Sequence, residues 1–272
     1  MSGDALGARW RSVALALGEC TMADCAELLA GPTPIVILPV GSTEPHGPHL
    51  PLATDAILSE ECARRAARSL RERGASAVCA PAIAYGVTRY AEGFAGAITV
   101  SEPALVAYIT AVIEGLRGAG FALVCVTNHH LEPEHVTAVE RAVNAARDSV
   151  GGVVFANQLT RRWGRTLSHE FKRGACHAGS YESSLVQAAR PELVREDLRA
   201  ALPDVDISLS AAIREGKHNF AAMGLTMAYA GEPREASATA GEALYDKLVE
   251  MIAAECLEAL GLAAPPAEPA KK

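Results

Sequence analysis

The chain is short of positive charge: 25 Lys and Arg stand against 32 Asp and Glu, and no basic block exceeds short pairs such as Arg161-Arg162. A nucleic acid is therefore not the expected main partner. Nor is there an uninterrupted apolar run of about 18 residues, the length from which a membrane-crossing helix is built, so no membrane partner is expected. The first eleven residues carry Asp4, Arg9 and Arg11, and the apolar stretch at 13–17 is too short for the core of a secretion signal. The expected location is the cytoplasm. Seven cysteines, at 20, 25, 62, 79, 125, 176 and 256, form no close pair of the zinc-binding type and are odd in number. Several sit in apolar runs such as Val124-Cys125-Val126, where a thiol acts as a small hydrophobe. Cys176, next to His177, is the one to inspect as a nucleophile. No internal repeat is found.

Half of the 272 residues are hydrophobic and 21% are charged, which fits a folded domain with a large buried core. One unit is expected over 1–262. The tail at 263–272 holds three prolines and two lysines and is expected to be disordered. Apolar, β-branched runs at 35–40, 76–81, 121–127 and 152–156 read as strands. Helices at 55–73, 101–117 and 133–148 alternate with them, which points to an α/β fold with a parallel sheet covered on both faces. Beyond residue 160 the pattern is less regular. Helices are expected at 180–189, 190–201 and 235–261, and a strand at 223–229.

Three clusters carry chemistry. Residues 41–55, Gly-Ser-Thr-Glu-Pro-His-Gly-Pro-His-Leu-Pro-Leu-Ala-Thr-Asp, leave a core strand and hold Glu44, His46, His49 and Asp55 in a loop dense in Gly and Pro. Open α/β sheets bind ligands at that edge, so a metal cradle is one reading. The other is a braced turn, with His49 as the brace and Asp55 as a helix N-cap. The second cluster, Thr127-Asn128-His129-His130-Leu131-Glu132-Pro133-Glu134-His135, also follows an apolar strand. His130 and Glu132 lie two apart and can converge if the loop is extended. Acidic residues at a helix start account for Glu134, and His135 is expected on the helix surface. In the third, His177-Ala-Gly-Ser-Tyr-Glu182 enters a helix, and a capping role for Glu182 competes with a site role. His169 and His218 read as structural or exposed. Imidazoles and carboxylates without thiolates suit Zn²⁺ or Mn²⁺ in a hydrolytic site. A shared Asp can bridge two ions about 3.5 Å apart, which lower the pKa of a common water and polarise a carbonyl.

These motifs resemble the creatininase, or creatinine amidohydrolase, family over about residues 34–250. Gly41 to Asp55 is similar to the family's Gly-Ser-x-Glu-Gln-His-Gly-x-His-Leu-Pro-Leu-x-Thr-Asp, with Pro45 in place of Gln. His130 matches the His of an Asn-Gly-His segment in which His129 replaces Gly, and His177-Ala-Gly-Ser-Tyr-Glu182-Ser-Ser matches His-Ala-Gly-x-x-Glu-Thr-Ser. The resemblance implies a three-layer α/β/α sandwich, a homo-oligomer that is often a hexamer, and two divalent ions per chain, Zn or Mn. It implies that Glu44 binds one ion, His46 the other, and Asp55 both. His130 is a further ligand, and Glu132 or Glu182 completes the coordination of the second metal. Glu132 and His177 are the implied catalytic residues: Glu132 orients the water, and His177 protonates the leaving nitrogen or orients the substrate.

The pocket departs from the family pattern. Leu131 follows His130 where an aromatic residue is common, the chain has only Trp10 and Trp163, and Tyr90-Ala91 stands where Glu-His is usual. The expected activity is hydrolysis of a C–N amide bond in a cyclic amide such as creatinine or in a related small amide or formamide. A peptidase trimming a short modified peptide is the alternative, and a non-catalytic metal-bound small-molecule scaffold is the rival from another class.

Overall fold

A computed structural model describes residues 9–262, and the tail expected to be disordered lies outside them. The strands form where apolar runs are too uniform to leave a solvated face. They are β1 (Ile35–Val40), β2 (Ala77–Cys79), β3 (Leu123–Asn128) and β4 (Val153–Ala156). All pair in parallel in the order β2-β1-β3-β4, with Ile35 beside Ala77 and Leu123, and Val40 beside Asn128. The helices are α1 (Met22–Ala30), α2 (Thr54–Glu72), α3 (Glu102–Gly118), α4 (Pro133–Val150), α5 (Arg161–Gly164), α6 (His169–Arg173), α7 (Ser180–Ala189), α8 (Glu196–Arg199), α9 (Leu209–Arg214) and α10 (Ala238–Ala259). None among the described residues is long and apolar enough to cross a membrane.

The period of two along each strand divides the core. Ile35, Ile37, Cys79 and Cys125 meet Leu58 of α2, Leu185 of α7 and Leu248 of α10 on one face. Val36, Leu38, Val78 and Val124 meet Leu28 of α1, Ile109 of α3 and Val139 of α4 on the other. This is the expected three-layer α/β/α sandwich, and each such fully buried Leu or Ile contributes about 1.5–3 kcal/mol. The layering also places the site. Adjacent strands β1 and β3 send their following helices, α2 and α4, to opposite faces, which opens a crevice at the carboxyl ends of the two strands.

Two expected elements differ. Residues 223–229 form turns rather than a strand, because Gly224 (φ 84°) and Ala228 (φ 48°) both turn the backbone out of extension. Met223, Leu225 and Ala228 fill a third core with Tyr90 and Phe220. The helix expected at 190–201 is broken into a 3₁₀ turn at Pro191–Leu193 and α8. The break falls where the Arg195 N–H leaves the helical pattern to donate to the His49 carbonyl at 2.9 Å.

Candidate metal centre

Gly41 lets the site form. A Cβ there would lie 2.6 Å from the Ala56 nitrogen and 2.7 Å from the Asp55 carbonyl carbon, so only glycine lets the first turn of α2 sit directly on the end of β1. Asp55 lies in that turn, and the N-cap position is Ala53. The Asp55 carboxylate, fully buried, accepts a hydrogen bond from Ser42 Oγ at 2.8 Å. Glu44 and His46 come from the loop after β1, His130 from the end of β3, and His177 and Glu182 from the approach and first turn of α7. All are buried.

The donor atoms form groups whose members lie within 4.8 Å of one another: Glu44, Asp55 and His130; His46, Asp55 and Glu182; and Glu44, His46 and His177. His130 Nδ1 is 3.1 Å from both Glu44 Oε1 and Asp55 Oδ2. His46 Nε2 is 3.2 Å from Asp55 Oδ1 and 3.5 Å from Glu182 Oε2. Asp55 thus gives one oxygen to each group. The far nitrogen of each imidazole fixes its tautomer. His46 Nδ1 donates to the Glu44 carbonyl at 3.1 Å, and His130 Nε2 to the Val87 carbonyl at 2.7 Å. Each near nitrogen then turns a lone pair onto two carboxylates, and His46 Nε2 has no hydrogen-bond partner. Lone pairs facing lone pairs in a buried space require a cation between them, and backbone-anchored imidazoles are how metal sites orient such ligands.

Electrostatics give the same demand. Burial opposes charge on His46, but Asp55, Glu182 and Glu44 outweigh it and lift the imidazole to about 10. His130, against the same burial, is raised by Glu44 and Asp55. Burial pushes Glu182 up to about 8, with His46 only partly offsetting it. Without a metal, protons supply the positive charge, and a dication would displace them.

Glu132 stands apart from the three donor groups. Its carboxylate accepts the Arg89 and Tyr90 backbone N–H groups, each at 3.0 Å, and lies 3.9 Å from His130 Nε2. Burial lifts it to about 7, against the pull of His130 and those two N–H groups. His177 Nε2 donates to the Pro45 carbonyl at 3.1 Å, leaving Nδ1 as an acceptor 3.9 Å from Glu44 Oε1. Burial and neighbouring His46 hold it neutral, at about 4. Glu44, Asp55, Glu132, His177 and Glu182 line one cavity of about 460 Å³, shared with apolar Leu131, Leu159, Phe171, Ile213, Phe220 and Met223.

A family profile for creatininase, creatinine amidohydrolase, matches residues 18–256. The chain belongs to the creatininase family. As a creatininase-family protein it is an amidohydrolase, which sets aside the non-catalytic scaffold. It is 31% identical over 246 residues to a mycofactocin precursor peptide peptidase from Mycobacterium tuberculosis, covering 86% of this chain and 88% of that protein. A manganese creatininase superimposes with a TM-score of 0.68 at 22% identity, covering 90% of this chain and 98% of the other. A mutant creatininase of the Zn-Zn type gives 0.67 at 21%, with the same coverage.

Several creatininase-family positions here do other work than the sequence suggests. His135 is fully buried, not on the surface: its Nε2 donates to Asn128 Oδ1 at 3.0 Å and its Nδ1 accepts from the Val87 N–H at 3.2 Å. The loop after β2 folds over the start of α4 and covers it. His49 is the expected brace, held neutral near 4 by burial and 2.9 Å from Ser183 Oγ. Burial pushes the Cys176 thiol up, which disfavours the thiolate that a nucleophile needs. His169 and His218 are exposed, as expected.

Sequence reasoning missed the supports of the site. Buried Thr88 donates to Glu44. His129 ties Ser59 of α2, 3.1 Å from its Nδ1, to the end of β3. Buried Glu170 accepts N–H bonds from Ser180, Tyr181 and Glu232 at 2.8–2.9 Å, which fixes the helix start carrying Glu182. The glycines at 179 and 231 signalled that close approach: a Cβ at 179 would lie 2.6 Å from the Glu170 carboxylate oxygens, and one at 231 would lie closer still.

Proposed function

We propose that the chain is a two-metal amidohydrolase that cleaves a peptide-type amide in a short peptide. Glu44, Asp55 and His130 hold one ion, and His46, Asp55 and Glu182 hold the other. The observation that carries this is the pair of backbone-anchored imidazoles, each turning its free nitrogen onto two carboxylates, with Asp55 common to both. Zn²⁺ and Mn²⁺ both suit this nitrogen and oxygen donor set. A bound divalent pair supplies Lewis acidity towards a carbonyl and acidifies water at neutral pH.

The protein's own groups supply the rest. Glu132, poised near neutrality and aimed by two backbone N–H groups, takes the proton of the attacking water and delivers it to the leaving nitrogen. Neutral His177 orients the substrate by accepting an amide N–H at Nδ1. Its low basicity supports that role over protonating the leaving group.

The peptide reading is supported by a cavity of about 460 Å³ with a largely apolar wall, a size that accommodates ligands larger than a single ring. The M. tuberculosis relative, a peptidase acting on a precursor peptide, points the same way. The cyclic-amide reading draws on the family's own description as creatinine amidohydrolase and uses the same donors. Parallel assays of short peptides, creatinine and formamides separate the two: peptide turnover alone supports the first, and creatinine turnover alone overturns it. The homo-oligomer implied by the family resemblance is proposed on that basis alone, and light scattering of the purified chain checks it.

A further inference from the structure

Among the described residues, many cations are neutralised where they stand. Arg64, Arg65, Arg89, Arg173 and Arg234 each have a carboxylate oxygen no more than 3.3 Å away. Three cations that line the cavity differ. Arg161, Arg165 and Lys172 are exposed, and among the described residues none of them has an ion-pair or side-chain hydrogen-bond partner. Their placement is built in. Arg162 binds Glu258 of α10 at 2.7 Å and Trp163 Nε1 donates to Glu255 at 2.6 Å, so these two side chains fasten α5 to α10. Arg161 and Arg165, four residues apart and on a common side, then line the cavity, and Lys172 of α6 joins them.

We propose that Arg161, Arg165 and Lys172 form a subsite for a carboxylate of the substrate, so that the peptide cleaved here carries a negative charge near its scissile amide. This rests on the peptide reading. Three unpaired, exposed cations lining an apolar-walled cavity attract an anion before contact and hold it by charge-assisted hydrogen bonds. A polyanion is disfavoured by the net charge of −7, whereas a single carboxylate meets only the local cations. The carboxylate is the chain terminus of a short peptide or an Asp or Glu side chain close to it.

Calorimetric titration of the full chain reads binding without turnover. The probes are N-acetyl-trialanine as the free acid, the same peptide as its amide, and an amidated peptide with Asp in the middle position. At least one charged probe is expected to bind about tenfold more tightly than the neutral amide, with a preference that fades as salt is added. The triple variant Arg161→Gln, Arg165→Gln, Lys172→Gln should lose that preference while keeping its Tm and its affinity for the neutral probe. Preference for the free acid alone assigns the terminal carboxylate, and equal preference for the Asp peptide assigns the side chain. Charged and neutral probes binding alike, or not at all, overturns the subsite, as does a preference that survives in the triple variant. If the preference is found but no peptide is hydrolysed, the peptide reading fails and the anion subsite stands. If peptides are hydrolysed without the preference, the subsite fails alone.

Discussion

In the proposed mechanism, Glu132 and the two anchored imidazoles divide the chemistry between them. His46 and His130 face carboxylates with lone pairs, whereas Glu132 is held off by the Arg89 and Tyr90 N–H groups at 3.0 Å. Glu132→Gln removes the base and keeps an acceptor for only one of those two N–H groups. It should lower kcat by about 10²–10⁴-fold with the metal content unchanged. A parallel loss of metal would make Glu132 a ligand instead. The pH profile of kcat/KM tests the same residue. Burial raises the Glu132 carboxyl to about 7, so it is protonated and inactive as a base below that value and competent above it. The rate should therefore rise with pH through a limb at or below about 7, since a bound dication can only lower that pKa, and Glu132→Gln should erase the limb.

Helices and strand ends bring these residues together, and each junction has a weak point. At Gly41 any side chain meets the backbone of Asp55 and Ala56. Gly41→Ala should cost about 1–3 kcal/mol as an overpacking change and reduce metal binding, read together from urea midpoints and metal analysis. Glu170→Gln disturbs the acceptor for three N–H groups at the start of α7 and should cost about 1–3 kcal/mol, again with weaker metal binding through Glu182. The first of these junctions was legible in the sequence, because strand, glycine turn and helix start are contiguous from Ile35 to Asp55. The donor residues were legible for the same reason, since each sits at the edge of a strongly patterned element. Glu170, Thr88, His129 and His135 were not, because their partners lie far along the chain and no local pattern records the contact. The same cause explains the misplaced strand at 223–229 and the broken helix at 190–201. There a left-handed turn and a hydrogen bond to His49 override local propensity.

For the whole molecule, pH and metal act on one stability. His129 is buried and held at about 4, against about 6.5 in an unfolded chain. The unfolded state therefore binds the extra proton between those values, and the stability that neutral His129 contributes is complete above 6.5 and lost as pH falls towards 4. In chelator, the stability difference between wild type and His129→Asn should shrink over that window, as measured by urea midpoints. A difference that stays constant would remove His129 from the pH response. Metal works in the other direction: it binds only the folded site, so Tm should rise with added Zn²⁺ or Mn²⁺. The most direct measurement is the metal content of the full chain purified without chelator and then supplied with Zn²⁺ or Mn²⁺. The proposed two-metal site predicts two equivalents per chain, lost on Asp55→Ala while the fold is kept. Less than about half an equivalent, unchanged by either added ion, would contradict the two-metal site.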